Sequence, residues 1–345
     1  MSKTLTVVGG TYFEVCIEPE RKDLFGSGLR GAASVSGKGF NVELVSCVGR
    51  NELPLVTSLC DTFTINPNFQ VIDHTITFGY YHPLTTPECI NSNTSRNTIR
   101  LPTAQAACIL YYGLIEAKAK ISGDYVVYDP QNHISFSETG SSATHLALVL
   151  NRKEAQLLSG CAQSTTILEI GSKLLTSQNA EVVVIKDGPH GAFVIDSRGV
   201  KVIPVFKTNK VWPIGSGDVF SAVFAWQWAI LEKDPRDAAL LASQFTATFC
   251  GTELLPLPEI PEQYEAIVAK SGGKKIYLAG PFFSMPQRWL INEFRISLTE
   301  FGNFVFSPFH ELGLALTDND NFSNSSTQIA NADLQALRDS DLVVA

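Results

Sequence analysis

The chain has 345 residues, of which 45% are hydrophobic and 17% are charged, and its formal net charge is −8. This length predicts one large domain with a smaller unit beside it, because a single core rarely grows beyond about 250–300 residues. The negative charge argues against nucleic acid or an anionic membrane as the main partner. No apolar run approaches the roughly 18 residues of a membrane span, and a strand pattern begins at Thr4, so we expect a cytoplasmic protein.

The cysteines and histidines do not form a metal-binding or disulfide pattern. Seven cysteines are scattered along the chain without a C-x-x-C pair, and no two of the six histidines are spaced as H-x-x-x-H. We therefore expect reduced cysteines in the core of an intracellular protein, and no transition-metal site.

Short runs rich in β-branched and aromatic residues alternate with segments of helical periodicity. The predicted strands are 4–10, 40–49, 70–79, 107–113, 125–130 and 181–188. The predicted helices are 152–161, 164–178, 218–233 and 234–250. Such alternation predicts a three-layer α/β fold in which helices cover both faces of a mainly parallel sheet. Ligands of these sheets bind at the carboxyl ends of the strands.

The composition changes near residue 254. Segment 254–263 is rich in proline, and Lys-Ser-Gly-Gly-Lys-Lys at 270–275 resembles a flexible joint. A second α/β pattern follows, with predicted strands at 275–280, 303–308 and 341–345, helices near 286–301 and 326–338, and a polar loop near 317–325. We expect a first domain at 1–260, a linker at 261–274 and a second domain at 275–345. The last strand has no turn or cap behind it, so we expect this second domain to be incomplete.

Residues 215–218 read Gly-Ser-Gly-Asp and stand directly ahead of an apolar helical run. The first N–H groups of a helix lack partners within the helix, and the helix dipole places partial positive charge there. Gly215, Ser216 and Gly217 would let these amides approach a transferring phosphoryl group. Asp218 would accept the proton of an attacking hydroxyl. From the residues alone, an ordinary N-cap formed by Ser216 or Asp218 is the alternative.

This segment resembles the G-A/S-G-D signature of the ribokinase-like (PfkB) carbohydrate kinases, and further matches follow the order of that family over about residues 4–255. They are "VVGGTYFEVC" at 7–16, "GSGLRGAA" at 26–33, "VVYDPQ" at 126–131, "NRKE" at 151–154 and "VVVIKDGPHGAFV" at 182–194. The resemblance implies a ribokinase-like three-layer sandwich and ATP-dependent phosphoryl transfer, with Asp218 as general base and the 215–217 amides as anion hole.

The same resemblance implies roles for three further groups of residues. They are Glu14, Gly26, Gly28 and Arg30 at the acceptor, Lys186, Gly188 and Gly191 at the nucleotide, and Asn151 and Glu154 at Mg²⁺. From the residues alone, Glu14 is equally a solvated turn residue, Arg30 a partner in a surface salt bridge, and 151–154 an ordinary helix start.

Two departures from the family pattern concern the nucleotide side. Trp212-Pro213-Ile214 stands where Asp-Thr usually precedes the signature, and Lys186 stands where a threonine often opens the T-x-G-x-x-G segment. A third segment, "SGKGFN" at 36–41, imitates a sugar motif but lies directly before a predicted strand. It also lacks the P-loop glycine and Ser/Thr positions, so we interpret it as a turn.

The second domain resembles the nucleoside 2-deoxyribosyltransferase family in "KIYLAGPFFS", "NEFRISLTEFGNFVFSPFHELG" and "NADLQALRDSDLVVA". This resemblance implies a partial flavodoxin/Rossmann-like α/β domain with nucleoside contacts from Tyr277, Gly280, Phe282 and Asp333. The nucleophilic glutamate of that family would follow the last strand, beyond Ala345. Because covalent glycosyl transfer needs that acid, we do not expect this chain to perform it as it stands.

The leading hypothesis is therefore a kinase that uses ATP and Mg²⁺ to phosphorylate a hydroxymethyl group of a sugar or nucleoside. Its partner would be this small molecule, with neither nucleic acid nor membrane, and a homo-oligomer is left open. One alternative is a nucleoside deoxyribosyltransferase or N-glycoside hydrolase activity of a completed C-terminal domain. The other is a catalytically silent scaffold that binds a nucleotide.

Overall fold

The computed structural model describes residues 3–91, 99–131, 133–162, 165–209, 212–267, 273–313 and 326–345. The chain forms two compact units, the first made of Met1–Asp187 and Gly191–Val268 and the second of Gly188–His190 and Ala269–Ala345. Among the described residues, no helix is both long enough and apolar enough to cross a bilayer.

The first unit contains fifteen strands and six α-helices among its described residues. The strands are β1 (Thr4–Val8), β2 (Phe13–Cys16), β3 (Arg21–Leu24), β4 (Asn41–Gly49), β5 (Ile65–Ile72), β6 (Thr77–Tyr80), β7 (Glu88–Cys89), β8 (Ala104–Tyr112), β9 (Ile121–Asp129), β10 (Ser142–Asn151), β11 (Val182–Lys186), β12 (Ala192–Asp196), β13 (Gly199–Ile203), β14 (Val205–Phe206) and β15 (Ala266–Ile267). The helices are α1 (Gly26–Ser34), α2 (Leu53–Phe63), α3 (Arg152–Ser159), α4 (Ile167–Ser177), α5 (Ser216–Ala225) and α6 (Pro235–Thr252).

Nine of these strands form the central sheet, in the order β13-β12-β11-β10-β9-β8-β1-β4-β5. Every neighbouring pair from β11 to β5 is parallel, and only β12 and β13 at one edge are antiparallel. The prediction of a mainly parallel sheet is confirmed. The carboxyl ends of β8, β9, β10 and β11 consequently lie along one edge, where their loops meet.

Helices cover both faces of this sheet. Successive residues of a strand point to opposite faces, so Val127 and Val149 pack with α1, α5 and α6 on one side. Val126 and Leu148 pack with α3 and α4 on the other side. The apolar strands found in the sequence are the ones that this double burial requires.

A small sheet of order β3-β2-β6-β7 stands apart from the central one and corrects the sequence interpretation of 70–79. That single predicted strand is divided between β5, which ends at Ile72 in the central sheet, and β6, which pairs with β2 in the small sheet. Asp73–Ile76 joins them. A hydrophobic alternation does not reveal where a chain leaves one sheet and enters another.

Other predicted elements agree with the structure to within a few residues, and several elements were not predicted. Segment 36–41 is a turn, as expected. Helices α1 and α2 and the buried strand β10 had no counterpart in the sequence interpretation. All residues of α1 are buried, because its glycine, serine and alanine residues allow close packing. A helix buried on all sides has no polar face, so its sequence does not show the alternation of polar and apolar residues that predicts a helix. The predicted helix 218–233 begins earlier, at Ser216, and continues from Trp226 to Ile230 as a π-helical turn.

The second unit contains β16 (Lys275–Leu278), β17 (Phe304–Phe306) and β18 (Leu342–Val344) in a parallel sheet of order β17-β16-β18. Its helices are α7 (Met285–Glu300), α8 (Pro308–Leu312) and α9 (Ser326–Arg338). The predicted polar loop 317–325 lies outside the described residues, as do 268–272 of the predicted linker 261–274. Within that linker, β15 pairs with β14 of the first unit, so this part of the segment is held in a sheet.

Candidate active site

The amino end of α5 lies beside the carboxyl ends of β8, β9 and β11. Tyr112, the last residue of β8, donates a hydrogen bond from its hydroxyl to the backbone oxygen of Asp218 at 2.6 Å. Lys186, the last residue of β11, lies 3.5 Å from the carbonyl oxygen of Gly217. The strand ends thus fix the start of this helix, which is the arrangement expected of a ligand site in a parallel sheet.

Gly215 forms the N-cap of α5 in a conformation that favours glycine. Its φ is +79°, and no side chain caps the helix. A Cβ on Gly215 would lie 2.3 Å from Nε of Arg30, so a larger residue would also collide. The alternative that Ser216 or Asp218 is a plain N-cap is therefore wrong, because both lie inside the first turn.

The amides of this turn are not equally available. The N–H of Ser216 donates to the carbonyl of Pro213 at 3.0 Å. Among the residues described, no acceptor lies within bonding distance of the N–H groups of Gly217 and Asp218. In the described first turn, the N–H groups of Gly217 and Asp218 are therefore open to an anion, and within the predicted 215–217 set the N–H of Ser216 is already bonded.

Asp218 is buried, and donors from two other elements hold its carboxylate. Nη1 of Arg30 lies 3.2 Å from Oδ2, and Nε2 of Gln131 donates to Oδ1 at 2.8 Å. Arg30 also binds both carboxylate oxygens of Glu14, with Nη1 3.0 Å from Oε1. The structure thus brings Glu14, Arg30 and Asp218 together from β2, α1 and α5.

This environment changes the acidity of Asp218. Burial raises the pKa of Asp218 to about 6, Arg30 opposes that rise, and the negative charge of Glu14 adds to it. A carboxyl group with this pKa is mostly ionised at neutral pH and can still take up a proton readily. Arg30 and Glu14 are 3% and 5% exposed, so the solvated alternatives for both residues are wrong.

A second buried cluster lies below the first turn of α5. Nζ of Lys186 lies 2.9 Å from Oδ2 of Asp129, and the hydroxyl of Ser221 donates to the same oxygen at 2.7 Å. Burial lowers the pKa of Lys186, but the charges of Asp129 and Glu154 outweigh it and raise that pKa overall. Lys186 therefore carries a positive charge close to the first turn of α5, 3.5 Å from the carbonyl oxygen of Gly217.

Asn151 and Glu154 form a capping box at the start of α3. The side chain of Asn151 accepts from the N–H of Glu154 at 2.8 Å, and that of Glu154 accepts from the N–H of Asn151 at 2.7 Å. Burial, followed by the charge of Asp129, raises the pKa of Glu154 to about 7. Asn151 and Glu154 thus form the ordinary helix start that the sequence left as an alternative. The negative charge of Asp129 also acts on the Glu154 carboxyl group.

The buried carboxylates have the chemistry that Mg²⁺ requires. Oδ1 of Asp129 is buried without a hydrogen-bond partner in the described structure. The charge of Asp129 raises the pKa of Glu154, so the two carboxyl groups interact. No group of three or more potential ligands of the His, Cys, Asp or Glu types occurs in the described ranges. Mg²⁺ commonly uses one or two carboxylates and completes its shell with water and phosphate oxygens, so this pair fits it.

Four further predicted glycines of the acceptor and nucleotide groups serve close packing or turns. Gly28 donates its N–H to the carbonyl of Gly10 at 2.8 Å, and a Cβ there would lie 2.6 Å from Gly9. Gly26, with a φ of +67°, opens the same helix. Gly188 and Gly191, with φ of +51° and +85°, lie between β11 and β12. The positive φ of Gly26, Gly188 and Gly191, and the close approach of Gly9 to Gly28, explain why glycine occupies these positions.

The second unit holds a separate aromatic cavity of about 310 Å³, whose lining includes Phe282, Phe309 and Asp333. The two phenylalanine rings stack at 5.4 Å, and the hydroxyl of Tyr277 donates to Oδ1 of Asp333 at 2.7 Å. Gly280 lies next to Ile291, where a Cβ would come within 2.1 Å of that side chain. Three of the four predicted residues thus surround or support one cavity, and Gly280 allows the strand to pack against α7.

Several residues of the first site were not predicted. They are Tyr112, Asp129, Gln131 and Ser221. A signal for two of them was present, because Asp129 ends a buried strand and Gln131 follows within the same turn. Tyr112 and Ser221 read as core residues, and only the packing of α5 on β8 and β9 identifies them.

Part of the chain resembles a known sequence family, and its fold resembles those of solved structures. Residues 103–255 match the sequence profile described as pfkB family carbohydrate kinase. A ribokinase from Thermotoga maritima is 18% identical, with a TM-score of 0.54, over 74% of this chain and 96% of that chain. A nucleoside kinase from Methanocaldococcus jannaschii, an archaeal member of the ribokinase family, is 17% identical with a TM-score of 0.54 over 74% and 95%.

A ribokinase from Giardia lamblia is 12% identical to the chain, with a TM-score of 0.58, and the match covers 74% of this chain and 96% of that one. No curated protein matches the chain. Residues 103–255 therefore resemble the pfkB family of carbohydrate kinases, and the fold that the chain shares with these solved structures is ribokinase-like.

Proposed function

We propose that the first unit transfers the terminal phosphoryl group of ATP to a hydroxymethyl group of a sugar or nucleoside. The observation that carries the proposal is the position of the buried Asp218 at the start of α5, where the N–H groups of Gly217 and Asp218 have no hydrogen-bond acceptor among the described residues. Phosphoryl transfer requires a carboxylate that can act as the base and backbone N–H groups that can bind the phosphoryl oxygens, and both would lie at this helix start.

In this proposal Asp218 accepts the proton of the acceptor hydroxyl as its oxygen attacks the phosphorus atom. The lone pairs of its carboxylate are partly used by Arg30 and Gln131, which hold the group in one orientation. A carboxylate oxygen accepts more than one hydrogen bond, so it can receive the acceptor proton while it stays held. Its pKa of about 6 supports this role near neutral pH.

The charge on the transferring group would be met by fixed donors. The N–H groups of Gly217 and Asp218 provide backbone dipoles, and Lys186 places a cation close to the same turn. Such donors are already oriented before the reaction and gain strength where water is excluded. Asp129 and Glu154 would hold Mg²⁺, which supplies positive charge to the phosphate oxygens when it is bound.

The decisive experiment measures ATP consumption with a panel of sugars and nucleosides, using the wild-type chain and Asp218→Asn in parallel. We expect one class of acceptor to stimulate ADP release by the wild type and not by the variant. Nucleotide binding in calorimetry without turnover on any acceptor would overturn the proposal in favour of a silent nucleotide-binding scaffold.

For the second unit, we propose that the aromatic cavity binds a nucleoside. The stacked pair of Phe282 and Phe309 supplies a surface for a planar base, and the linked pair of Tyr277 and Asp333 supplies polar groups at its edge. Nucleosides of all four bases, titrated by calorimetry into wild type and Phe282→Ala, test this proposal. We expect micromolar to millimolar binding that the variant weakens at least tenfold, and equal binding by both proteins would contradict it.

A further inference from the structure

Arg30 lies between the two acids of the first site and is itself buried. It extends from α1, is 3% exposed, and reaches Glu14 on β2 and Asp218 on α5. Its guanidinium also lies over the ring of Phe25, at 5.5 Å from the ring centre. A long side chain held on several sides has little freedom to turn toward a substrate.

The hydrogen bonds of Arg30 use most of its donors on protein groups. Nη1 donates to Oε1 of Glu14 and to Oδ2 of Asp218, and Nη2 donates to the other oxygen of Glu14. Three of the roughly five guanidinium N–H groups are therefore used. Glu14 is held by a two-point contact, which fixes the plane of the guanidinium and with it the direction of the bond to Asp218.

We propose that Arg30 is a positioning residue for Asp218, which it orients together with Gln131 and keeps ionised, and is not an anchor for an anionic group of the substrate. This inference rests on the proposed role of Asp218 as the base. Gln131 binds the opposite oxygen of the carboxylate, so donors from two separate elements define where the remaining lone pairs point.

The charges around Asp218 give Arg30 this electrostatic role. Among the described residues, the titratable groups that interact electrostatically with Asp218 are Tyr12, Glu14, Arg30, Tyr80, Tyr112, Asp129, Glu154 and Lys186. The only cations among them are Arg30 and Lys186, and Lys186 is bonded to Asp129. Without Arg30, Glu14 and Asp218 would face each other as like charges in a buried site, which opposes ionisation of both.

The inference is tested by the pH dependence of kcat/KM in Arg30→Met and Arg30→Lys. The acid limb is the part of the profile where kcat/KM falls as pH decreases. In Arg30→Met we expect it to move to higher pH by about 1–3 units, because the variant removes an opposite charge that lowers the pKa of a neighbouring carboxyl group by that amount. Arg30→Lys should keep the limb nearer to that of the wild type but lower kcat, because an ammonium group cannot make the two-point contact.

Arg198→Met is the matched control. Arg198 also binds two acids, Asp196 and Asp234, but it is half-exposed and lies at the opposite edge of the sheet from Lys186. The acid limb of the Arg198→Met profile should coincide with that of the wild type. An unchanged limb in Arg30→Met, with a higher KM for the acceptor as the sole effect, would assign Arg30 to the substrate and overturn the inference.

A second measurement separates this inference from the proposed reaction. The carboxyl carbon of Asp218 can be titrated by NMR in protein labelled at aspartate, with its resonance identified by its loss in Asp218→Asn. If no acceptor is phosphorylated but the pKa of Asp218 is still higher in Arg30→Met, the proposed reaction fails and the electrostatic role of Arg30 stands.

A double variant covers the case in which Arg30→Met does not fold. Glu14→Gln/Arg30→Met removes both charges, and its Asp218 should still titrate at higher pH than in the wild type, because Arg30 acts on Asp218 more strongly than Glu14 does. A titration at or below that of the wild type would reject the inference.

Discussion

Nη1 of Arg30 lies 3.2 Å from Oδ2 of Asp218, although 188 positions separate the two residues in the chain. The contact joins the middle of α1 to the first turn of α5, and it places the Arg30 guanidinium between the carboxylates of Glu14 and Asp218. It also accounts for Gly215, since a Cβ there would occupy the space of the Arg30 side chain. The geometry of this one pair therefore links the proposed base, the proposed anion cradle and the proposed acceptor side of the site.

Asp218→Asn should lower turnover by about 10²–10⁴-fold, the usual contribution of a general base. The amide keeps the shape of the side chain but cannot accept the proton. Turnover with the acceptor found in the panel, measured against Asp61→Asn on the exposed end of α2, checks this expectation. Full activity of Asp218→Asn would remove the residue from the base role.

The pH–rate profile should fall on the acid side with a pKa of about 6, as Asp218 becomes protonated. The same shift affects stability. Because the folded pKa lies above the unfolded value of about 3.9, this group favours the folded state below pH 4, and that contribution is lost as pH rises through about 6. Asp218→Asn should thus gain unfolding free energy relative to the wild type between pH 4 and pH 7. Urea unfolding at both pH values measures the unfolding free energy of the variant minus that of the wild type, and a difference that stays constant or falls as pH rises would refute the shift.

Gly215→Ala and Gly217→Ala should have opposite effects on stability. At Gly215 the positive φ alone costs about 1–2 kcal/mol for an alanine, and the contact with Arg30 adds to it. At Gly217 a Cβ would lie 3.4 Å from Nζ of Lys186, an ordinary contact, and alanine favours a helix by about 1 kcal/mol over glycine. Thermal unfolding of both variants should show a lower Tm only for Gly215→Ala. Equal losses would indicate a different helix start.

Lys186→Met should destabilise the first unit by about 3–5 kcal/mol, because it leaves the buried carboxylate of Asp129 unpaired. Asp129→Asn/Lys186→Met removes both charges and should recover much of that stability without recovering turnover. Chemical unfolding and ATP consumption of the two variants make the comparison. A double variant as unstable as the single one would show that packing, and not charge, governs this cluster.

Local sequence was sufficient where a residue's role follows from its immediate neighbours. Buried strands such as β9 and β11 were recognisable because double burial needs continuous apolar runs. The start of α5 was recognisable to within two residues because glycine and serine directly ahead of an apolar helical run are typical of a helix start. Helix α1 was missed because its small buried residues have no helical alternation of polar and apolar positions.

By itself, the sequence determined the α/β class and the mainly parallel sheet. It also determined that a helix begins close to Asp218 and the glycines at 215 and 217. Only the tertiary structure decided that Arg30 and Gln131 hold the Asp218 carboxylate, that Lys186 lies close to the first turn of α5, and that 70–79 is shared by two sheets. Periodicity and turn chemistry report on contacts within a few residues. Contacts across a hundred or more positions depend on how the layers pack and on which strand ends meet, and no local pattern encodes that geometry.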